Sequence, residues 1–142
     1  MAPQWWRRLR GQAGSAALDP DAADLVVVAT SFDDAEACSA VLARAAAWQP
    51  DAPAVLRHHL RVPSGQLERV CAIAAQDGYA PAGQSGAAGS DDLAPLILQR
   101  VQVLDALHCS QERSRMAGLA QRHDGTADGW DALQPGHPTE QR

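Results

Sequence analysis

Apolar and polar positions follow two different periods along this chain, and the points where the period changes mark its elements. Leu25-Val26-Val27-Val28-Ala29 is short, β-branched and followed by polar residues, which predicts a strand. Phe32-Asp33-Asp34-Ala35-Glu36 then has the form of a helix start: Asp33 as cap, Glu36 in the reciprocal position, and Phe32 stapled onto Ala37. This helix is expected to reach about Ala47, burying Cys38, Val41, Leu42 and Ala45, before Pro50 and Pro53 break it.

Over 55–62 the pattern alternates. Leu56, His58, Leu60 and Val62 share one face of a strand, while Val55, Arg57, His59 and Arg61 share the other. The first face calls for a helix layer and the second is basic. Ser64 is placed to cap a helix over 65–77 with a Leu67, Val70, Cys71 and Ala74 stripe, and Gly78 to end it in the left-handed conformation. Tyr79-Ala80-Pro81-Ala82 reads as extended and anchored by Tyr79, and 83–92 as a flexible loop of Gly, Ser, Ala and Asp. A long strand is expected over 96–104, with Ile97, Val101 and Val103 on one face and Leu98, Arg100 and Gln102 on the other. A helix opening near Cys109 or Ser110 would bury Met116, Leu119 and Ala120, keep Arg113, Arg115 and Arg122 in water, and stop at Gly125. Trp130-Asp131-Ala132-Leu133 fits a short edge strand, and the last residues a disordered tail.

The order from Val55 onward (strand, helix, strand, strand, helix, strand) predicts an α+β fold, a ferredoxin-like βαββαβ sandwich with helices on one side of an antiparallel sheet. The strand and helix of 25–47 are additional, and either extend the sheet at an edge or cover part of its open face. The chain divides into an N-terminal arm (1–24), one α+β domain (25–134, with the ferredoxin-like core at 55–134) and a tail (135–142). On this plan Leu60 and Val101 lie under the helices and Arg57 is exposed. The arm holds Trp5-Trp6-Arg7-Arg8-Leu9-Arg10, closed by Gly11 and Gly14. Its open readings are a frayed tail or a cap that tucks Trp onto the domain, a partner-binding arm and, less in keeping with the rest of the chain, membrane contact.

Composition narrows the function classes. The 142 residues suit one domain, and 46% hydrophobic with 20% charged residues is not the balance of a disordered acidic chain. A net charge of −5 disfavours general attraction to nucleic acid. Cys38, Cys71 and Cys109 are widely spaced and form no disulfide framework, and no apolar run approaches the roughly 20 residues of a membrane-spanning helix. A cytoplasmic protein without a membrane partner is expected.

No coherent catalytic set emerges. His58 and His59 point to opposite faces of a strand and no ligand spacing follows them, so neither a metal nor a cofactor is expected. Cys109 beside His108 is the single nucleophile worth naming, but adjacency in sequence does not place an imidazole on a thiol. Asp33-Asp34 fits capping, Asp91-Asp92 a solvated loop, and no phosphate-binding loop is present. What remains is a surface: Arg57, His59, Arg61 and Arg100 as one basic sheet face. Such a face is either solvated, or receives an acidic protein segment, or binds RNA; the alternative to a surface function is an orphan ligand-binding domain of the same fold, which calls for a deep pocket between helices and sheet. Direct RNA binding is disfavoured because the central strands offer no aromatic for stacking. An uncovered edge or face would also serve a homodimer.

Ordered short matches carry a family likeness. Val55-Leu56-Arg57-His58-His59-Leu60, Leu67-Glu68, Asp77-Gly78-Tyr79, and Leu119-Ala120 followed by Asp128-Gly129-Trp130 resemble the regulator of ribonuclease activity B family, protein inhibitors of ribonuclease E. The likeness covers about 55–133. It implies a non-enzymatic protein that binds an endoribonuclease E-like partner and alters RNA decay by contacting the enzyme. The matching positions are His58, His59, Leu60, Gly78, Tyr79, Asp128, Gly129 and Trp130. Gly78 is expected to turn the helix into the next strand, and Asp128-Gly129 to form a turn that seats Trp130. The chain departs from the pattern in its short, mixed tail and in opening with a strand.

Overall fold

The computed structural model describes residues 18–82 and 92–136. The Trp/Arg segment of the arm, the 83–91 part of the loop and the tail from residue 137 lie outside the described residues. Over these described residues the chain is α+β, with a five-stranded antiparallel sheet and three α-helices, an architecture compatible with a ferredoxin-like sandwich. The strands are β1 (Leu25–Ser31), β2 (Pro53–Pro63), β3 (Ala80–Pro81), β4 (Leu93–Val103) and β5 (Thr126–Pro135). The helices are α1 (Cys38–Arg44), α2 (Leu67–Ala75) and α3 (Ala106–Arg122), and the sheet order is β1-β5-β2-β4-β3.

Register decides which side chains meet. Across β2 and β4, Leu60 opposes Leu96, His58 opposes Leu98 and Leu56 opposes Arg100. Across β2 and β5, Leu56 opposes Ala132 and His58 opposes Trp130. These residues form the face against which all three helices pack. Toward α1, Cys38, Val41 and Leu42 bury Leu56, Trp130 and Ala132 together with Leu104 and Cys109. Toward α2 and the middle of α3, Val70, Ala74, Met116, Leu119 and Ala120 bury Leu60, Val62, Leu96 and Leu98, with Tyr79 filling the edge. Full burial of such aliphatic side chains contributes roughly 1.5–3 kcal/mol each, and this shared face holds the layers together.

Several local expectations are corrected. The first helix runs only over Cys38–Arg44, with Ala37 rather than Asp33 at its N-cap. Asp33 instead closes a turn onto the Ala35 N–H, and Arg113 from α3 donates to the carbonyls of Asp33 and Glu36, which keeps 33–36 out of the helix. Arg113 is therefore half-buried rather than solvated. Ser64 opens a 3-10 turn (Ser64–Gln66) instead of capping α2. Helix α3 starts earlier than expected because Asp105 caps it, its carboxylate accepting from the His108 N–H. Gly78 does take the left-handed conformation, with φ of 85°.

The larger correction concerns β5. Trp130–Leu133 is not an edge strand: β5 is ten residues long and lies between β1 and β2. The additional N-terminal strand accounts for this, since β1 pairs along the outer side of β5 from Leu25↔Pro135 to Ser31↔Trp130. Asp128-Gly129 is accordingly not a turn but part of β5, at an irregularity where His59 pairs Gly129 and Leu60 pairs Ala127. Pro135, placed in the tail by the sequence pattern, ends the same strand.

The sheet register also separates two residues expected to behave alike. Leu60 lies under the helices, whereas Val101 opposes Val55 on the helix-free face and is 36% exposed. Leu60→Ala is expected to cost roughly 2–4 kcal/mol, and Val101→Ala less than about 1 kcal/mol, in denaturant unfolding of the two variants.

Candidate functional site

The helix-free face of the sheet divides across the strands into a charged end and an apolar end. At the charged end, Arg57 on β2 opposes Asp131 on β5, and His59 opposes Gly129. The Asp131 carboxylate accepts from Arg57 Nε at 2.8 Å and Nη2 at 3.0 Å, and its Oδ2 lies 2.9 Å from His59 Nε2. Only 7% of the Asp131 side chain is exposed. Burial pushes its carboxyl up, but the bonds with His59 and Arg57 outweigh this and hold it below the usual carboxylate range. Arg57 is raised in return, chiefly by its bond to Asp131. Farther along, Arg61 Nε donates to Asp128 at 2.7 Å, and Thr126 donates to the same carboxylate.

Phe32 completes this end. It does not staple a helix; its ring lies 5.0 Å from the His59 ring, and the residue is 56% exposed. Gly129 is the reason it fits, because a Cβ there would collide with the Phe32 ring and the Ser31 carbonyl oxygen. Each cation of β2 thus faces a carboxylate of β5, so the face expected to be basic is charge-compensated. Its chemistry is a planar guanidinium, an imidazole and an aromatic ring set side by side.

Arg100 is not part of it. The register that opposes Arg100 to Leu56 turns it to the helix side, where its guanidinium lies over the Tyr79 ring at 4.6 Å and donates to the Asp77 carbonyl at 2.8 Å. There it joins a second polar cluster. Tyr79 donates to Glu112 Oε1 at 2.8 Å, with Arg100 and Arg115 both beside that carboxylate, and His58 Nε2 lies 3.4 Å from the Tyr79 hydroxyl. Burial of Glu112 is outweighed by Tyr79 and the two arginines, so its carboxyl stays below its ordinary value. Burial pushes the Tyr79 phenol up and the His58 ring down to about 4. His58 is thus a buried neutral ring within a satisfied network.

The eight positions named for the resemblance divide between the two faces of the sheet. His58, Trp130, Tyr79, Leu60 and Gly78 lie on or beside the helix-covered face; His59, Gly129 and Asp128 lie on the open one. Sequence reading missed Asp131 and Phe32, which make the open-face cluster what it is. Asp131 was legible as an outward residue of its strand, but its partner was not.

The remaining chemical candidates fall away. Cys109 is buried in the first turns of α3, and burial together with Cys38 raises its thiol, which disfavours the thiolate. His108 bonds to Asp105 rather than to Cys109. Among the described residues no group of three or more His, Cys, Asp or Glu could hold a metal ion, and no helix is long and apolar enough to cross a membrane. Open hollows of about 310 and 460 Å³ run beside α3, both lined by Asp34, Ser110 and Arg113, and the second also by Thr126 and Ala127 at the start of β5. No protein-family model matches the chain, and no curated protein matches it.

Two expectations follow. Arg57→Ala leaves a buried carboxylate with His59 alone, so it is expected to cost roughly 2–3 kcal/mol in equilibrium unfolding, not the negligible loss of an exposed arginine. For His58, the unfolded ring titrates near 6.5 and the folded one near 4, so falling pH protonates the unfolded chain first. Stability is complete above about pH 6.5 and is lost on acidification toward pH 4, by on the order of 3 kcal/mol. His58→Leu should flatten that window while leaving the further loss below it, which belongs to Asp131 and Glu112.

Proposed function

We propose that this chain is a non-enzymatic binding module, built on a ferredoxin-like βαββαβ core, that docks a protein partner on its open sheet face. Without β1 the sheet order is β5-β2-β4-β3, the interleaved order of the split βαβ repeat, which supports the fold reading. The observation that carries the function is the Phe32, His59, Arg57 and Asp131 cluster: an exposed aromatic ring beside a pre-oriented guanidinium, with no serine, threonine or cysteine among the described residues bonded to His59. Aromatic and arginine side chains held in place by neighbours are what protein interfaces concentrate their energy on. Compensation of Arg57 and Arg61 by Asp131 and Asp128 argues against a phosphate backbone as the ligand.

On the strength of the family resemblance, the partner is an endoribonuclease of the ribonuclease E kind, and the outcome of docking is altered RNA decay. The docked chain occludes or reshapes the enzyme. Titration of the full chain against that enzyme from the same organism, read alongside cleavage of a model RNA, is expected to show a complex at micromolar concentration and slower cleavage. Phe32→Ala should weaken the complex by about tenfold or more with thermal stability little changed. No complex at that concentration, an undiminished complex with Phe32→Ala, or binding to RNA in the absence of the enzyme would each overturn this reading.

A further inference from the structure

Two of the three cysteines, far apart in the sequence, are neighbours in space. Cys38 opens α1 and Cys109 lies in the first turn of α3, and the packing of α1 against α3 puts both into one buried cluster with Leu104 and Trp130. Their side chains are within hydrogen-bonding reach of each other, and both are free thiols. Cys71 is separate: it stands on α2 and packs against the other cluster, beside Val70 and Tyr79. Two thiols held side by side differ chemically from a lone one, because the second sulfur can complete an oxidation that the first begins.

Their surroundings give the two sulfurs different parts. Cys38 lines the open hollow of about 310 Å³, together with Leu107 and Ser110 of α3, and a peroxide is small enough to enter it. Cys109 is fully buried and stands behind this lining. Burial and the adjoining Cys38 push its thiol up, so Cys109 stays protonated. Cys38 is therefore the sulfur that an oxidant reaches, and Cys109 the one that closes the bond. Cys71 is more exposed than either, but it lies in the other cluster with neither thiol at hand.

We infer that Cys38 and Cys109 form a dithiol site for peroxides, which closes to a disulfide between α1 and α3. The Cys38 thiolate attacks one peroxide oxygen and the O–O bond breaks. Cys38 becomes a sulfenic acid, and the departing oxygen takes up the proton that Cys38 released, leaving as water or an alcohol. The Cys109 sulfur then attacks the Cys38 sulfur; the displaced hydroxide leaves with the Cys109 proton as water. Two thiols lose two electrons and two protons in all, and one peroxide is reduced. The site uses neither Phe32 nor His59, so it stands whether or not the ribonuclease reading does.

The full chain, reduced and then treated with equimolar hydrogen peroxide, is expected to carry a Cys38–Cys109 disulfide within one chain in non-reducing peptide mapping, with Cys71 still a thiol. Dithiothreitol should reverse it. Cys109→Ser should stop at the sulfenic acid, trapped by dimedone on Cys38. Cys38→Ser should leave Cys109 unlabelled and lose thiol about tenfold more slowly. In urea the selectivity should vanish, with Cys71 reacting alongside the other two. Oxidation of Cys71 ahead of the pair in the folded chain overturns the inference, and so do disulfides between chains or a Cys38–Cys109 bond that forms only in urea. An unlabelled Cys38 in folded Cys109→Ser does the same. The mapping of the unmodified chain decides the matter by itself where either variant fails to fold.

Discussion

Strand β2 is hydrogen-bonded along both sides, to β4 and to β5, and its two registers place every charged side chain of the central sheet. A shift of one residue in either pairing would exchange the faces. In the register present, His58 and His59 are neighbours in sequence with opposite fates. His58 meets Trp130 and Tyr79 beneath the helices, and His59 meets Asp131 and Phe32 in partial contact with water. The irregularity between His59 and Leu60 lets β5 keep Trp130 inside while Asp128 reaches Arg61.

Charge compensation then gives the open face its character. Two arginines opposite two aspartates make a surface with little net field but fixed geometry. Asp131 is held by two donors, which orients Arg57 and His59 in advance of any partner. Pre-oriented groups lose less rotational freedom on binding, so such a cluster suits recognition of a particular surface better than attraction of any polyanion. The same face carries Val27, Leu133, Val55 and Val101 opposite one another across four strands, so it has two chemically distinct halves.

On the helix side of the sheet, Tyr79, Arg100 and Arg115 converge on the buried carboxylate of Glu112. Glu112 comes from α3, Tyr79 from the end of the α2 connection and Arg100 from β4, so satisfying one carboxylate ties three elements to a single arrangement. Gly78 contributes through space as well as conformation, because the Arg100 stem passes 3.3 Å from where its Cβ would be. A buried carboxylate satisfied in this way rewards one packing over alternatives of equal hydrophobic area.

How far all this was legible in the chain differs by element. The alternation of 55–62 correctly assigned Leu56, His58, Leu60 and Val62 to one side, because period two is a property of a single strand. The helical stripes of Val70 and Ala74, and of Met116, Leu119 and Ala120, were legible for the same reason. Alternation on β4 separated Val101 from Arg100 but did not say which face was covered, since a strand's absolute orientation comes from its partner's register. Arg100 was therefore grouped with Arg57, and Val101 with Leu60, each on the wrong side. Likewise Asp33 and Glu36 carry a capping pattern, yet Arg113, 77 residues on, binds that segment's carbonyls and keeps it a turn. Sequence by itself determined the periods, the breaks and the inventory of chemical groups, because those are local. Only the tertiary structure decided that β1 covers β5, that Asp131 neutralises Arg57 and His59, and that Phe32 lies over Gly129. Each of these is a contact between segments that no local preference links.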